Sequence, residues 1–341
     1  MADLHSASAM ARETAEIPVV AERLLGRADL FGAIAQRIEQ VKPRAVVFCC
    51  RGSSGHVGVY LRYLFETRLG MLGSASAPSV MTAYERPPDM RDVLFIVISQ
   101  SGQSPDLVTA TRVARNVGAL TLAIVNDDHS PAAAAAELVL PIEAGREYAV
   151  AATKTVVSSM IAGARLVAGL ERNDHLIEYL ERLPSRLSRA LNCDWSSWAN
   201  AVADAAATYV VGRGYALGCV REIALKVSET LRVPGIGHSA AELRHGPWAS
   251  ITSSTPVLVL RQNDQTASAV DGVIRDLSDT EAPVFTAGGA SGILPWIGDD
   301  HPACDPVLML VPAYRAIERV ARERGFDPDN PPHLKKVTYT L

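Results

Sequence analysis

Residues 93–105 read VLFIVISQSGQSP, and this stretch decides the fold. The run at 93–98 is continuous, apolar and rich in β-branched side chains, which predicts a buried strand. Ser104 followed by Pro105 is typical of a helix start, because proline lacks the backbone N–H that is unpaired there. The intervening loop, residues 99–104, carries hydroxyl and amide side chains and Gly102. Such a loop suits an anion such as phosphate, although an ordinary strand–helix turn of small polar residues explains the same spacing.

The same order of strand, polar loop and helix recurs along the chain. Ala45–Cys50 is predicted as a strand and is followed by the loop Arg51–Gly55. Further strands are predicted at residues 80–83, 120–125, 138–141, 208–211, 256–260 and 283–285. Helices are predicted on either side of Pro18, at 28–40, from the second loop to 66, from 105 to about 118, and at 150–170, 217–231, 266–277 and 307–324.

This alternation predicts an α/β fold with mostly parallel sheets covered by helices on both faces. Ligands of such sheets bind beyond the carboxyl ends of the strands, where both hydroxyl loops fall, which favours the phosphate interpretation. The strand–turn–helix pattern returns after residue 208, so the two halves resemble a diverged duplication. Gly212-Arg213-Gly214 begins like the G-x-G-x-x-G motif of dinucleotide-binding folds, but the third glycine is displaced to Gly218. No acidic residue follows at the distance that the motif requires, so a dinucleotide site is not expected.

The composition of the chain argues against several classes of function. The net charge of −4 gives no sign of the excess positive charge that binding to nucleic acid or to an anionic membrane needs. No apolar run is long enough for a membrane span, and the first residues do not resemble a secretory signal. Five cysteines without a CxxC pair predict structural thiols in a reduced, cytoplasmic setting and no zinc site.

Three places in the second half could carry chemistry. Lys226 and Glu229 are three residues apart on one predicted helix face, where a solvated ion pair is the alternative. His245 lies at a break before Gly246-Pro247, where a structural histidine is the alternative. Lys335 and Lys336 lie in a strand-like tail that is either frayed or packed down. A lysine that a packed tail brings to a phosphosugar site would be a candidate Schiff-base former.

Together these motifs resemble the sugar isomerase (SIS) superfamily, and most closely the isomerase half of glutamine–fructose-6-phosphate amidotransferase and its stand-alone relatives. The resemblance rests on six ordered motifs: Gly52-Ser53-Ser54 with residues 62–66, then residues 99–104, 150–154, 224–229, 242–247 and 334–336. It implies two tandem SIS domains, each a doubly wound, flavodoxin-like sheet between helices. The expected boundaries are an N-terminal helical segment at 1–25, SIS domains at 26–172 and 190–325, and a tail at 326–341 that docks at the active site.

The resemblance also implies roles for individual residues. Glu229 matches the acid/base that moves a proton between C1 and C2, with Lys226 as its neighbour. His245 matches the ring-opening histidine, which the family supplies from the partner subunit of a homodimer. Lys336, rather than Lys335, matches the lysine that forms an imine with an open-chain ketose. The residues expected to contact phosphate and sugar are Ser53, Ser54, Ser99, Gln100, Ser101, Ser104 and the backbone at Val150 and Ala151, whereas Ala152 replaces a serine of the family.

These roles predict an enzyme that acts on a small sugar phosphate without a metal or other cofactor. The second residue is Ala2 and no cysteine precedes Cys49, so we expect no glutaminase activity of the amidotransferase type. The expected reaction converts glucosamine 6-phosphate and water into fructose 6-phosphate and ammonia. One alternative is an isomerase or deglycase acting on another phosphosugar, such as galactosamine 6-phosphate or a fructosamine phosphate. The other is a non-catalytic phosphosugar sensor.

Overall fold

The structure, a computed structural model, describes residues 7–337 and divides the chain into two compact units. The first unit contains residues 19–147, 154–182 and, of the described tail, 335–337. The second contains residues 7–18, 148–153 and 183–334. The helix α1 (Ala9–Leu25) crosses from the second unit into the first.

The first unit is built on a parallel sheet. In its described residues the strands are β1 (Ala45–Cys50), β2 (Leu72–Ala75), β3 (Val93–Ser99), β4 (Leu120–Val125) and β5 (Leu138–Pro141). They pair in the order β2-β1-β3-β4-β5. The helices are α2 (Ala28–Val41), α3 (Gly52–Leu69), α4 (Pro78–Thr82), α5 (Pro105–Asn116), α6 (Pro131–Ala135), α7 (Lys154–Glu171) and α8 (Asp174–Glu181).

The second unit repeats this plan on a smaller parallel sheet. Its described elements are the helices α9 (Leu183–Ala190), α10 (Ser196–Ala203), α11 (Ala216–Lys226), α12 (Ala240–Leu243), α13 (Ala267–Ser278) and α14 (Asp305–Glu323), and the strands β6 (Thr208–Gly212), β7 (Gly235–Ser239), β8 (Val257–Leu260) and β9 (Val284–Ala287). The strands pair in the order β7-β6-β8-β9. Two parallel sheets flanked by helices confirm the predicted fold class.

The central strands of the first sheet follow the apolar pattern that predicted them. Every residue of β4 is buried, as is every residue of β3 after Val93. Register places Cys50 beside Ile98 and Ser99 beside Val125. Since β1 and β3 are paired and parallel, the loops that follow them leave the sheet at the same edge.

One predicted strand is wrong. Residues 80–83 were expected to be extended, but Val80–Thr82 belong to α4, which begins at Pro78. Proline at the first helical position is pre-organised for a helix, and the Thr82 hydroxyl donates to the Pro78 carbonyl. The edge strand is β2, whose residues are mostly exposed and therefore lack the apolar pattern of a buried strand.

The expected break at Pro18 is also wrong, because α1 continues through it. Proline costs this helix one backbone hydrogen bond. Ile17, Val20 and Ala21 are nearly fully buried around it, and that apolar burial outweighs the lost bond.

Two further boundaries differ from expectation. The helix predicted from Val150 begins at Lys154, since the Val150 N–H donates to the carbonyl of Asp329 instead of entering a helical turn. The helix predicted to end at Leu231 is α-helical only to Lys226 and continues as a π-helical turn, Val227–Leu231. Residues 333–337 of the tail form turns and bends rather than a strand, and residues 338–341 lie outside the described residues.

Candidate functional site

In the first unit a cavity of about 280 Å³ lies where the two polar loops leave the sheet. We call it the loop cavity. It is lined by Arg51, Gly52, Ser54, Ile98, Ser99, Gln100, Ser101, Ser104, Leu107 and Lys336. The helices α3 and α5 begin at this cavity with Gly52 and Pro105, so their unpaired N–H groups favour an anion there.

The loop after β3 is held by its own side chains. The Ser99 hydroxyl accepts from the Gly102 N–H at 3.1 Å, and the Ser101 hydroxyl accepts from the Gln103 N–H at 3.3 Å. Gly102 has a φ of 62°, and a Cβ there would overlap the hydroxyl of Ser130. A larger residue at 102 would therefore displace the loop.

Arg51 lies directly before α3, at the end of β1. Its Nε and Nη2 donate to Oδ2 of Asp106 at 3.1 and 2.9 Å. The Asp106 side chain is 1% exposed, whereas that of Arg51 is 52% exposed. A buried carboxylate on α5 thus orients a cation at the mouth of the loop cavity.

Lys336 brings an amine into the same cavity. Its Nζ donates to Oε2 of Glu147 at 2.8 Å, and the Glu147 side chain has no exposed surface. The same carboxylate accepts from the backbone N–H and the hydroxyl of Thr155, at 3.1 and 2.8 Å, near the start of α7. Glu147 therefore joins the described end of the tail to the first turn of this helix.

In the second unit Lys226 is buried between two carboxylates. It forms an ion pair with Glu229, three residues on, and its Nζ lies 3.4 Å from Oε1 of Glu222. Tyr314 donates to that same Oε1 at 3.3 Å. Burial by itself would lower the pKa of the Lys226 ammonium, but the charges of Glu222 and Glu229 outweigh it and hold that pKa above its ordinary value.

Glu229 lies on the π-helical turn that follows α11. Such turns are rare and are frequent at functional sites. The turn is fixed by Ser228, whose hydroxyl donates to the Ala224 carbonyl at 3.1 Å and accepts from the Gly235 N–H at 2.9 Å. Glu229 lines a cleft of about 800 Å³ together with Leu225, Ser228, Arg232, Val233, Pro234, Pro332, His333 and Leu334.

His245 lies just after α12 on a tight turn. Its backbone N–H donates to the Glu242 carbonyl, and the next residue, Gly246, has a φ of 127°. The imidazole side chain is exposed. The break that Gly246-Pro247 predicts is present, and Pro247 opens a short 3₁₀ turn.

The structure thus brings six of the expected residues together in the loop cavity: Ser54, Ser99, Gln100, Ser101, Ser104 and Lys336. Ser53 lies in the first turn of α3, half-buried, and does not line this cavity. Val150 and Ala151 belong to the second unit, where Ala151 is buried. Lys226 and Glu229 form one cluster, and His245 lies on a separate loop of the same unit. Their roles stay predictions.

Three polar residues of these sites were not singled out from the sequence. Arg51 follows a predicted strand, so its position pointed to the loop cavity. Glu222 is four residues before Lys226, which places the two on one helix face. Glu147 lies in an irregular segment, and nothing in its local sequence indicates that it meets Lys336.

The cysteines serve as buried side chains that pack in the interior, not as reactive thiols. None of the five forms a disulfide, and Cys50 alone is only half-buried. Burial raises the pKa of the Cys49 and Cys50 thiols to about 12 and also raises the pKa of Cys193 and Cys219. These four therefore stay protonated near neutral pH and are poor nucleophiles.

The described residues contain neither clustered metal ligands nor a membrane-spanning helix. Within residues 7–337, no three or more His, Cys, Asp or Glu side chains are grouped so that they could hold a metal ion. No helix in that range is both long and apolar enough to cross a bilayer.

Comparison with known proteins identifies the family. The sequence matches the SIS domain over residues 40–168 and 202–286. The chain belongs to the SIS domain family. The first SIS match contains both polar loops and Glu147, and the second contains Lys226, Glu229 and His245, whereas Lys336 lies outside both.

The curated relatives of this SIS protein include longer enzymes. It is 34% identical to the glutamine–fructose-6-phosphate aminotransferase (isomerizing) of Methanothermobacter thermautotrophicus, over 96% of this chain and 56% of that protein. The enzyme of the same name from Pseudomonas aeruginosa is 30% identical, over 96% and 58%. The chain therefore spans little more than half the length of these relatives.

Solved structures agree with the family. A Silicibacter pomeroyi protein provisionally described as a phosphosugar isomerase superimposes with a TM-score of 0.90 at 35% identity, over 95% of this chain and all of that one. A glucosamine-6-phosphate deaminase from Thermotoga maritima shares the fold, with a TM-score of 0.79 at 21% identity, over 98% of this chain and all of that one. The resemblance stated from the motifs is thereby confirmed at the level of family and fold.

Proposed function

We propose that this SIS protein is a phosphosugar isomerase that acts as a deaminase, converting glucosamine 6-phosphate and water into fructose 6-phosphate and ammonia. The observation that carries the proposal is the loop cavity, where the Lys336 amine lies among hydroxyl loops and two helix N-termini. A cavity of this kind suits a phosphate and also offers an amine to a carbonyl carbon on the same small molecule. The names of the relatives support the substrate class.

Binding is assigned to the first unit. Ser54, Ser99, Gln100, Ser101 and Ser104 would hold the phosphate, with the N–H groups that open α3 and α5. Ser53 and the backbone at Val150 and Ala151 would contact the sugar, as the family resemblance implies. Charge-assisted hydrogen bonds from fixed backbone donors are strong, so phosphate binding would anchor the substrate while its other end reacts.

Proton transfer is assigned to the second unit. His245 would open the pyranose ring, since histidine exchanges protons near neutral pH. Glu229 would then take the proton from C2 of the open-chain aldosamine and deliver it to C1. One N–H proton of the C2 amine is lost and the C1 aldehyde oxygen gains a proton, so C1 becomes an alcohol and the C2 amine becomes an imine. The buried ammonium of Lys226 holds the Glu229 carboxylate in place for this step.

Lys336 completes the reaction. Its Nζ passes a proton to the adjacent Glu147 carboxylate and attacks C2 of the imine, and the departure of ammonia, which takes up that proton, leaves a lysine imine. Water then adds to C2 and releases fructose 6-phosphate together with the free lysine. One water is consumed and one ammonia is formed, so no other reactant is needed.

The test is an assay that counts ammonia and fructose 6-phosphate from the same reaction with glucosamine 6-phosphate. We expect the two products in equal amounts. Glu229→Gln removes the proton acceptor and should lower kcat by about 10²–10⁴-fold while substrate still binds. Lys336→Ala should also abolish most turnover, whereas Lys335→Ala alters an exposed neighbour and should not.

The other outcomes point elsewhere. Turnover of galactosamine 6-phosphate or a fructosamine phosphate, but not of glucosamine 6-phosphate, would assign a different isomerase or deglycase. Binding of sugar phosphates without turnover, unchanged by Glu229→Gln, would indicate a sensor and contradict the enzyme proposal.

A further inference from the structure

Arg51 occupies a position that the phosphate-binding loops do not explain. It is the last residue before α3, it lines the loop cavity, and it reaches across to Asp106 in the first turn of α5. The arginine is therefore fixed between the N-termini of two helices that both open at the cavity. These helices are 18 and 12 residues long.

The charge of the loop cavity depends on this arginine. Among the described residues that line the cavity, Arg51 and Lys336 are the cations, and none is acidic. Lys336 is paired with the buried carboxylate of Glu147 and is assigned to imine formation. Arg51 is also paired with a buried carboxylate, that of Asp106, but it takes no part in the proposed chemistry, so it is the cation that can stay with a ligand throughout the reaction.

The geometry of the Arg51–Asp106 contact leaves the guanidinium usable. Asp106 accepts from Nε and one N–H of Nη2, both through the same oxygen, Oδ2. A guanidinium has five N–H donors in a rigid plane. The N–H groups of Nη1 and the outer N–H of Nη2 therefore lie at another edge of this plane and do not take part in the contact with Asp106. Those donors match the spacing of two oxygens of a phosphate.

We propose that Arg51, oriented by Asp106, binds the phosphate directly and makes the loop cavity select the dianion of a phosphomonoester over a monoanion of the same shape. This inference rests on the proposed function for the identity of the substrate. A phosphomonoester carries close to two charges at neutral pH because its second pKa is about 6. A sulfate monoester has the same tetrahedral form and one charge, so the pair separates charge from shape.

A purely structural role makes a different prediction. If Arg51 only ties the loop after β1 to α5, its loss would loosen the cavity for both esters alike. If Arg51 instead recognises charge, its loss should weaken binding of the dianion more than binding of the monoanion.

The experiment is isothermal titration at pH 7.5 with glucitol 6-phosphate and glucitol 6-sulfate, which have no carbonyl and cannot be turned over. Arg51→Gln should weaken binding of the phosphate by about 10- to 100-fold, the range for hydrogen bonds to a charged group. The loss for the sulfate should be several-fold smaller. Arg51→Lys keeps the charge without the fork and should fall between wild type and Arg51→Gln. Arg37→Gln, which breaks an ion pair with Glu137 outside the cavity, is the matched control and should bind as wild type does.

A pH series gives the second readout. Wild-type affinity for the phosphate should fall as the pH drops from 7.5 to 5.5, because the dianion takes up a proton, and affinity for the sulfate should stay level. Arg51→Gln should flatten the phosphate curve. Equal losses for both esters, or no loss, in a folded Arg51→Gln protein would overturn the inference and leave the proposed function standing. Wild-type protein that binds neither ester would also overturn the inference, and ammonia release from glucosamine 6-phosphate would then decide the proposed function separately. Selective binding without ammonia release would overturn only the deaminase reaction.

Discussion

The ammonium of Lys226 has no exposed surface and lies between the carboxylates of Glu222 and Glu229. The sequence placed Lys226 and Glu229 on one helix face, and the contact is confirmed. The alternative of a solvated surface pair is wrong, because burial depends on α14, whose Tyr314 contacts Glu222. That packing involves residues almost a hundred positions away, which helical spacing does not reveal.

This burial predicts the effect of removing the lysine. Lys226→Met leaves Glu222 and Glu229 without their cation, and breaking a buried pair in this way costs about 3–5 kcal/mol. We expect that loss in the free energy of unfolding by urea denaturation, together with a large fall in kcat.

The exposed pair of Arg37 and Glu137 is the matched control. Arg37→Met should cost at most about 1 kcal/mol, as surface ion pairs do. A Lys226→Met protein as stable as that control would show that the buried cluster is not the structural anchor of Glu229.

At the scale of elements, β7 explains how Glu229 is held. This strand packs against α11 at two glycines, and a Cβ on Gly237 would lie 2.9 Å from the Cα of Arg221. A Cβ on Gly235 would overlap the carbonyl oxygen of Ala224. The strand Gly235–Ser239 was not predicted, since glycines replace the apolar residues that mark strands, and the close approach that requires them is tertiary.

Gly235→Ala should therefore separate β7 from the helix that leads to Glu229. Overpacking of this kind costs about 1–3 kcal/mol, and we expect kcat to fall more than KM rises, since the loop cavity is unaltered. Stability and steady-state kinetics measure the two effects.

Gly32→Ala provides the opposite case, because the exposed Gly32 lies inside α2 with nothing within 4 Å of its added Cβ. It should raise stability by about 0.5–1 kcal/mol. If Gly235→Ala behaved in the same way, the close packing of β7 on α11 would be refuted.

The elements that were predicted correctly share a physical cause. Buried strands such as β3 and β4 carry continuous apolar runs, and α5 has proline at its first position, so local sequence determines them. The exposed edge strand β2 and the helix that continues through Pro18 depend on pairing and burial instead. The loop residues of the candidate site could be predicted for the same reason, because they directly follow strands whose ends are marked by the end of an apolar run.

At the scale of the whole molecule, both sheets share the order of their first four strands, β2-β1-β3-β4 and β7-β6-β8-β9. A common origin by duplication stays a prediction that this shared order favours. The family resemblance further implies a homodimer in which His245 acts on the partner's substrate, and the exposed imidazole of His245 is available for such a role.

Subunit complementation tests that arrangement. Glu229→Gln and His245→Ala should each be inactive alone. In a mixed dimer, one site combines an intact Glu229 with an intact His245 of the other chain, so random pairing should restore about a quarter of the wild-type sites. Co-expressed variants with different affinity tags allow the mixed dimer to be isolated. Failure to regain activity in that species would show that His245 serves its own chain.

The most direct test of the account is to trap the imine. Borohydride added during incubation with fructose 6-phosphate should reduce the C2 imine to a stable amine, and peptide mass spectrometry should place the sugar phosphate on Lys336. Lys336→Ala should carry no adduct, and Lys335→Ala should be labelled as wild type is. Full turnover without any adduct, or an adduct on a lysine other than Lys336, would contradict the assignment of this amine to the loop cavity's chemistry.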